Sequence, residues 1–458
     1  MSFSRSIVLF RRDLRLEDNT AFRKAVMNSQ EVLPVFIFDT RQYEKSLNAF
    51  FSSNALQFMI VSLQELQEQV SSLQGVFLVC KGEPEQVISS LIKEHAIDAI
   101  FLNEDVTPFS NKRDESIKQV CAQEDVAFVS CSDLFLTRPG SVVTGSEEMY
   151  QVFTPFMRKA QEQQVPPPTP LPKSISWYTS SASSFSFPDY TSLVKRPNTD
   201  LLVTGGRTEA LALLDELSNL EEYAEVRNFP SVTGTSRLSA HHKFGTISVR
   251  ETYYRVRELF GVTHKLISEL YWRDFYSHLV HAYPELLTEK TEFQQKYRGG
   301  SWREDEEAFL AWRKGRTGYP LVDAGMRELN TTGYMHNRVR MVVASFLTKH
   351  LLLDWRLGEQ YFASMLTDYD PAVNNGSWQW AASTGCDAQP YFRVFNPWSQ
   401  QKKYDPNCEY IKKWVPELRD ADVQTIHDLA NQSVQGYPKP IVEHSFARKR
   451  ALDWFKKY

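Results

Sequence analysis

Five short runs of Val, Ile, Leu and Phe punctuate the first 131 residues: Ile7–Phe10, Val32–Phe38, Val76–Cys80, Ile97–Leu102 and Val126–Val129. Between most of them lie segments of helical periodicity, such as Ala55–Val70 and Pro84–His95. A strand apolar along its whole length must be buried on both faces, so this alternation predicts a parallel, doubly wound sheet covered by helices. Neither GxGxxG nor GxxxxGK(S/T) occurs, so the α/β domain assigned to residues 1–131 advertises no dinucleotide or phosphate loop.

From 132 to 206 the alternation stops. The segment Val165–Pro172 is dense in proline and Thr179–Phe187 in serine, a composition that suits an interdomain linker running over the surface. From 207 to 458 the helical period takes over, at Ala210–Leu217, Leu266–Val280, Val339–Leu353 and Arg356–Met365. The expected architecture is therefore α/β plus α: a sheet domain, a long linker and an all-helical C-terminal domain.

At 458 residues the chain can bury two or three cores. No apolar run reaches membrane-spanning length and no secretory signal opens the chain, which predicts a cytoplasmic, soluble protein. The five cysteines are odd in number and widely spaced, against a disulfide framework or a zinc site. A net charge of −4 gives no sign of nucleic acid, so any DNA-binding surface must be local.

Four segments could carry chemistry. Residues 368–400 place Asp368 and Asp370 before the amides Asn374 and Asn375, then Trp378 and Trp380. On a strand or on a helix the two indoles point to different sides, so one could face a core and the other a ligand, or both could fill a buried aromatic cluster. Thr233–Ser239 offers small and hydroxyl residues that either cap a helix or present N–H groups to phosphate oxygens. Glu269, Trp272, Arg273 and Tyr276 share one helical face, and either form a surface ion pair over a tucked indole or grip a flat base. Asn337, Arg340 and Met341 likewise share a face at the start of an apolar helix. His241 and His242 are adjacent, a poor geometry for a metal on a helix, and no metal site is expected.

Taken with the opening LFRRDLRLEDN, these segments closely resemble the DNA photolyase and cryptochrome family, and within it the cyclobutane pyrimidine dimer photolyases. The resemblance spans nearly the whole chain and is most specific over 223–400. It implies FAD held by Tyr223, Thr235, Ser236, Arg237, Leu238, Ser239, Arg340, Asp368, Tyr369, Asp370 and Asn374, with Tyr369 standing where glycine is expected. It implies an Arg340–Asp368 pair beside the flavin, and a neutral Asn374 amide near flavin nitrogen 5 that tolerates the reduced, anionic cofactor. Plant cryptochromes tend to carry Asp there and animal ones Cys. Asn337 and Met341 match the dimer-repairing branch, whereas enzymes acting on the six-four photoproduct place histidines at both positions.

By the same resemblance, Glu269, Asn337, Met341 and Asn374 are catalytic. Arg227, Glu269, Trp272, Arg273, Tyr276, Asn337, Arg338, Trp380 and Gln400 meet DNA or the flipped dimer, and Trp378, Trp355 and Trp302 relay electrons to FAD. A second antenna chromophore (deazaflavin, folate or FMN) has a mixed signature. Asp105 and Lys243 suit deazaflavin but an arginine near Asn54 is missing, and Phe109 and Ser110 replace the folate-type Asn and Glu. The implied activity is light-driven repair of pyrimidine dimers by a cytoplasmic, bacterial-type monomer that joins the nucleoid on DNA. The alternative is a cryptochrome-type blue-light receptor without repair.

Overall fold

The computed structural model describes residues 3–180 and 183–458. The chain divides into two compact units. One comprises 1–197, 203–219 and 236–284, and the other 198–202, 220–235 and 285–458.

The first unit is built on a five-stranded parallel sheet of order β3-β2-β1-β4-β5. The strands are β1 (Phe3–Phe10), β2 (Ser29–Phe38), β3 (Leu78–Lys81), β4 (Ala99–Asn103) and β5 (Ala127–Cys131), each beside one of the apolar runs. Register is fixed along β1, with Ile7 opposite Leu33 on one side and Ile100 on the other. Alternate side chains feed two cores, one holding Val8, Phe10, Phe36 and Phe101, the other Ile7, Leu9, Val35 and Ile100. Helices cover both faces, and Pro84–His95 runs over the span its periodicity predicts, with Pro84 in the first turn where its missing N–H is harmless.

The proline- and serine-rich stretch is more than a surface linker. Ser176 O accepts from Val32 N (2.9 Å), Tyr178 N donates to Val32 O (2.9 Å) and Phe187 N to Val79 O (2.8 Å), so the chain lies down along β2 and β3. Trp177 and Phe187 pack on the sheet core and Tyr190 is buried in it. Apolar residues scattered at irregular spacing carry no periodicity, which is why composition alone reads as linker. Residues 181 and 182 of the serine-rich stretch lie outside the described residues.

Segment 236–284 also belongs to this unit. The helix Ser239–Phe244 ends at Gly245, whose φ of +65° and close approach to the Arg12 carbonyl (an added Cβ would lie 2.2 Å from it) both require glycine. Beside it Arg250 is clamped between buried carboxylates, donating to Asp18 (2.9 Å) and Asp133 (2.7 Å), with Arg15 on the other oxygen of Asp133.

The second unit is helical. Its core joins the helices Glu306–Arg313, Pro320–Thr332, Asn337–Ser345, Trp355–Met365, Pro371–Ala382 and Glu409–Trp414 around Trp312, Trp355 and Trp378, all almost wholly buried. The single helix expected over 339–353 is shorter. It ends at Ser345 and passes into one π-turn, Phe346–His350. That turn sinks Lys349 into the interior, where its ammonium nitrogen donates to Ala382 O (3.1 Å) and Ser383 Oγ (2.8 Å) and lies 3.5 Å over the Phe455 ring.

Candidate functional site

The helix Pro371–Ala382 begins at the second of the two carboxylates. Asp370 is its N-cap, one oxygen accepting from Ala372 N (3.0 Å) and Val373 N (3.2 Å). Residues 378 and 380 thus lie on a helix, and the indoles part. Trp378 turns into the core, edge-on to Phe362 (4.9 Å between ring centres) and Trp312 (6.1 Å), while Trp380 stays half-buried at the core margin.

Asn374 is buried, and its amide nitrogen donates to the Glu359 carbonyl (3.1 Å). That bond fixes the amide plane and leaves its oxygen as an acceptor. Asn375 donates to the Glu359 carboxylate (3.1 Å) and to Leu286 O (3.2 Å), and accepts from Gln379 (2.9 Å), which also takes Phe293 N (2.9 Å). Neighbouring asparagines therefore do different jobs: one is presented, the other is tied into the scaffold. Glu359 itself is almost wholly buried, and one of its oxygens has no partner among the described residues; burial pushes its carboxyl up to about 7, against the pull of Asn375, Lys290 and Arg356. Sequence reasoning missed Glu359, Asn375 and Gln379 as a group, because amides and acids scattered over two helices form no pattern until the helices pack.

Arg340 meets Asp368 at 2.9 Å and holds the Met335 carbonyl at 2.7 Å. Tyr369 packs partly buried at the core. Near this pair the charge is strongly positive. Burial, then Arg340, Arg338 and Arg227, push the His336 imidazole down to about 4. Arg338 grips Asn228 with two nitrogens (3.1 and 2.7 Å) and lies 4.5 Å over the Tyr404 ring, and the Arg227 guanidinium lies 5.2 Å over buried Tyr223. Asn337 is exposed and Met341 half-buried, while Gln400 is also half-buried, with a side-chain oxygen shielded from solvent and left without a partner among the described residues. A local basic surface on a chain of net charge −4 is what phosphate binding requires.

These features fit a flavin: a fixed amide offering an acceptor, an Arg–Asp pair, an unpaired side-chain oxygen on Gln400, and Thr235 beside the half-buried Tyr334. Thr235 ends a segment of the helical unit and Ser236 opens one of the sheet unit. From there Arg237 adopts a left-handed φ of +54°, Ser236 Oγ accepts from Leu238 N (3.4 Å), and the exposed Ser239 starts the helix Ser239–Phe244.

In the sheet unit, the helix Lys265–Ala282 carries Glu269, Trp272, Arg273 and Tyr276. Glu269 faces Lys265, four residues before it, at 3.9 Å. Arg273 reaches the Leu134 carbonyl and lies 5.3 Å over Phe135. Half-buried Trp272 stacks one face on Phe153, 3.7 Å away and 9° from parallel, with buried Tyr276 5.7 Å on. Phe153, from the segment read as linker, is a further residue that sequence reasoning missed; nothing in its sequence surroundings signals a ring platform. In the same unit Arg12 pairs with Asp105 at 3.1 Å, Lys243 adds to the positive field there, and Asp105 is held far below the usual carboxylate range despite its burial.

The three relay candidates lie in the helical unit. Trp378 fits a notch at Gly358, three residues after Trp355, where an added Cβ would lie 2.2 Å from the indole. Trp355 is fully buried, its Nε1 donating to Glu292 (3.4 Å). Arg303 N donates to Leu352 O (2.9 Å), which draws the backbone beside Trp302 alongside that before Trp355. Among the described residues no helix is long and apolar enough to cross a membrane, and no cluster of three or more metal-binding side chains occurs.

Residues 266–457 match the family model for the FAD binding domain of DNA photolyase, and residues 6–173 match the DNA photolyase model. The chain is 36% identical to a deoxyribodipyrimidine photo-lyase of Alkalihalophilus pseudofirmus, over 99% of its own length and 98% of the relative's. Among solved structures it resembles an archaeal photolyase from Sulfolobus tokodaii with two FAD molecules, with a TM-score of 0.89 and 41% identity over 99% of this chain and 100% of that one. A Synechocystis cryptochrome gives a TM-score of 0.90 at 29% identity, covering 99% of each chain.

Proposed function

The chain belongs to the DNA photolyase family, and from that premise we propose that it repairs cyclobutane pyrimidine dimers in DNA with blue light and reduced FAD. The observation that carries the reading is Asn374: a buried, neutral amide whose orientation is fixed by the Glu359 carbonyl. When bound and reduced, FAD supplies the electron that opens the cyclobutane ring on illumination.

The residues do the rest. The Asn374 oxygen would accept a hydrogen bond from the reduced ring without adding a full charge, and Arg340 with Asp368 would line the same site. Tyr223, Thr235 and the Ser236–Ser239 loop hold the diphosphate end, and Tyr369 and Asp370 continue the lining. Arg227 and Arg338 neutralise DNA phosphates, and Arg273 and Tyr276 steady the backbone. Trp272, braced by Phe153, stacks on the extruded dimer. Trp380, Met341 and Gln400 line the base pocket. Glu269 and Asn337 hydrogen-bond the pyrimidine edges and stabilise the charge that builds there. Flipping costs on the order of a few kcal/mol, less for a dimer that stacks poorly, which contributes selectivity. Trp378, Trp355 and Trp302 would pass electrons toward the flavin if it were bound in its oxidised form. Asp105 and Lys243 would face a second chromophore. We take the protein to act as a monomer on nucleoid DNA without a metal.

The test is to incubate the FAD-reduced protein with a dimer-containing oligonucleotide and follow restored pyrimidine absorbance in blue light and in darkness. Recovery confined to the light supports the reading. Equal recovery in both, or none in either, rejects it.

A further inference from the structure

Trp380 has a placement that its own packing does not account for. Trp378, two residues earlier, is held by Phe362 and Trp312, whereas the Trp380 indole has no ring neighbour among the described residues and stays half-buried at the core margin. A large side chain without such walls takes its direction from the backbone that carries it. For Trp380 that backbone is the last turn of the helix Pro371–Ala382, which the chain leaves through Ser383 at a left-handed φ of +64°.

Two side chains anchor this turn. Gln379 accepts from Phe293 N (2.9 Å) and donates to Thr291 O (3.2 Å) and to Asn375 (2.9 Å). The second anchor is Lys349, 0% exposed, whose Nζ donates to Ala382 O (3.1 Å) and Ser383 Oγ (2.8 Å) and lies 3.5 Å over the Phe455 ring. Two oxygens and a ring face serve the three N–H bonds of an ammonium. The last carbonyls of a helix lack intrahelical donors and carry partial negative charge, so a cation suits them as a cap.

This arrangement works against two ordinary preferences. Burial drives a lysine amine far below its usual range, and a methionine of equal length would fill the same space without that penalty. The lysine is also brought inward by the only π-turn among the described residues, Phe346–His350, which takes up one more residue per turn than an α-helix and so rotates Lys349 off the face that regular periodicity would give it.

We infer that Lys349 is a positioning residue for the dimer pocket: by capping the last turn of the helix Pro371–Ala382 it fixes the direction in which Trp380 presents its indole. The inference rests on the pocket role proposed above for Trp380. Lys349 acts through the helix end, and no contact of its own with flavin or dimer is invoked.

The test uses the FAD-loaded full chain in darkness, with fluorescence anisotropy against an oligonucleotide carrying one cyclobutane dimer and against its undamaged counterpart. Ring stacking holds a flipped base whereas phosphate contacts hold any duplex, so Lys349→Met should lose about tenfold in affinity for the dimer and nothing for undamaged DNA. Ser383→Ala, which removes one acceptor and leaves the lysine in place, should lose less in the same direction, and it carries the same comparisons where Lys349→Met does not fold. In a Trp380→Ala background neither substitution should have a further effect. Equal losses on both DNAs, equal losses with and without Trp380, or an unchanged dimer affinity overturn the inference. A readout without DNA is fluorine NMR of protein labelled with 5-fluorotryptophan. The resonance that vanishes in Trp380→Phe should move or broaden in Lys349→Met, while those of Trp312, Trp355 and Trp378 stay. A Trp380 resonance that does not change overturns the capping role. A shifted resonance in a protein that binds both DNAs equally well refutes the pocket role of Trp380 and leaves the capping role standing.

Discussion

Gly358→Ala puts the packing of the relay to a quantitative test. Gly358 lies inside the helix Trp355–Met365, where alanine is the better helix former by about 1 kcal/mol. The tertiary environment opposes that gain. An alanine Cβ would sit 2.2 Å and 2.4 Å from two carbons of the Trp378 indole and 2.6 Å from Leu347 Cδ2, where ordinary contact begins at 3.4 Å. Trp378 would have to retreat by more than an ångström, and it has no room: Phe362 and Trp312 hold its other sides, and all three rings are at most 3% exposed. Overpacking of this kind costs about 1–3 kcal/mol, and this contact belongs at the upper end because both neighbours are rigid. The net expectation is a loss of about 1–2 kcal/mol once the propensity gain is subtracted. Urea unfolding followed by tryptophan fluorescence should show a lower midpoint with an unchanged slope. Displacing Trp378 from Trp355 should also slow photoreduction of bound FAD. A midpoint equal to or above that of the unaltered protein would refute the reasoning, since it would mean the notch is not filled as described.

Glu359, with its carboxyl raised to about 7, binds a proton in the folded state that the unfolded chain releases near 4.5, so its contribution is full below 4.5 and is lost as pH rises to 7, by about 1.4 kcal/mol per pH unit. Glu359→Gln should therefore flatten the fall in urea midpoint between pH 5 and pH 8; an unchanged slope would contradict the assignment. Arg250→Met leaves two buried carboxylates, Asp18 and Asp133, short of a partner and should destabilise the sheet unit by about 3–5 kcal/mol, read by calorimetry. Asn374→Asp should lower the midpoint potential of bound FAD, because a carboxylate disfavours an anionic ring, and potentiometry reads the shift. Arg338→Ala should weaken DNA binding on all sequences alike and reduce the slope of log affinity against log salt by about 1, measured by fluorescence anisotropy.

Much of this protein is legible in its sequence, where the determining forces are local. A strand buried on both faces must be apolar throughout, and a packed helix must be apolar every three to four residues, so the five strands and the main helices follow from periodicity alone. Asp370 before Pro371 caps a helix where the sequence left strand and helix open. The motif residues could be named because their order along the chain survives folding. What the sequence leaves open is which distant groups meet. Phe153 against Trp272, Arg12 on Asp105, Glu359 behind Asn374 and Asn375, and Trp454 on Trp302 each join segments remote in the chain, and none has a sequence pattern of its own. The proline- and serine-rich stretch lies along the sheet because β2 and β3 offer it unpaired backbone groups, a fact about neighbours rather than about its composition. Local propensity selects the elements, whereas desolvation and ring contact act through space and select the partners. Which ring stacks on Trp302 is therefore decided by tertiary structure alone.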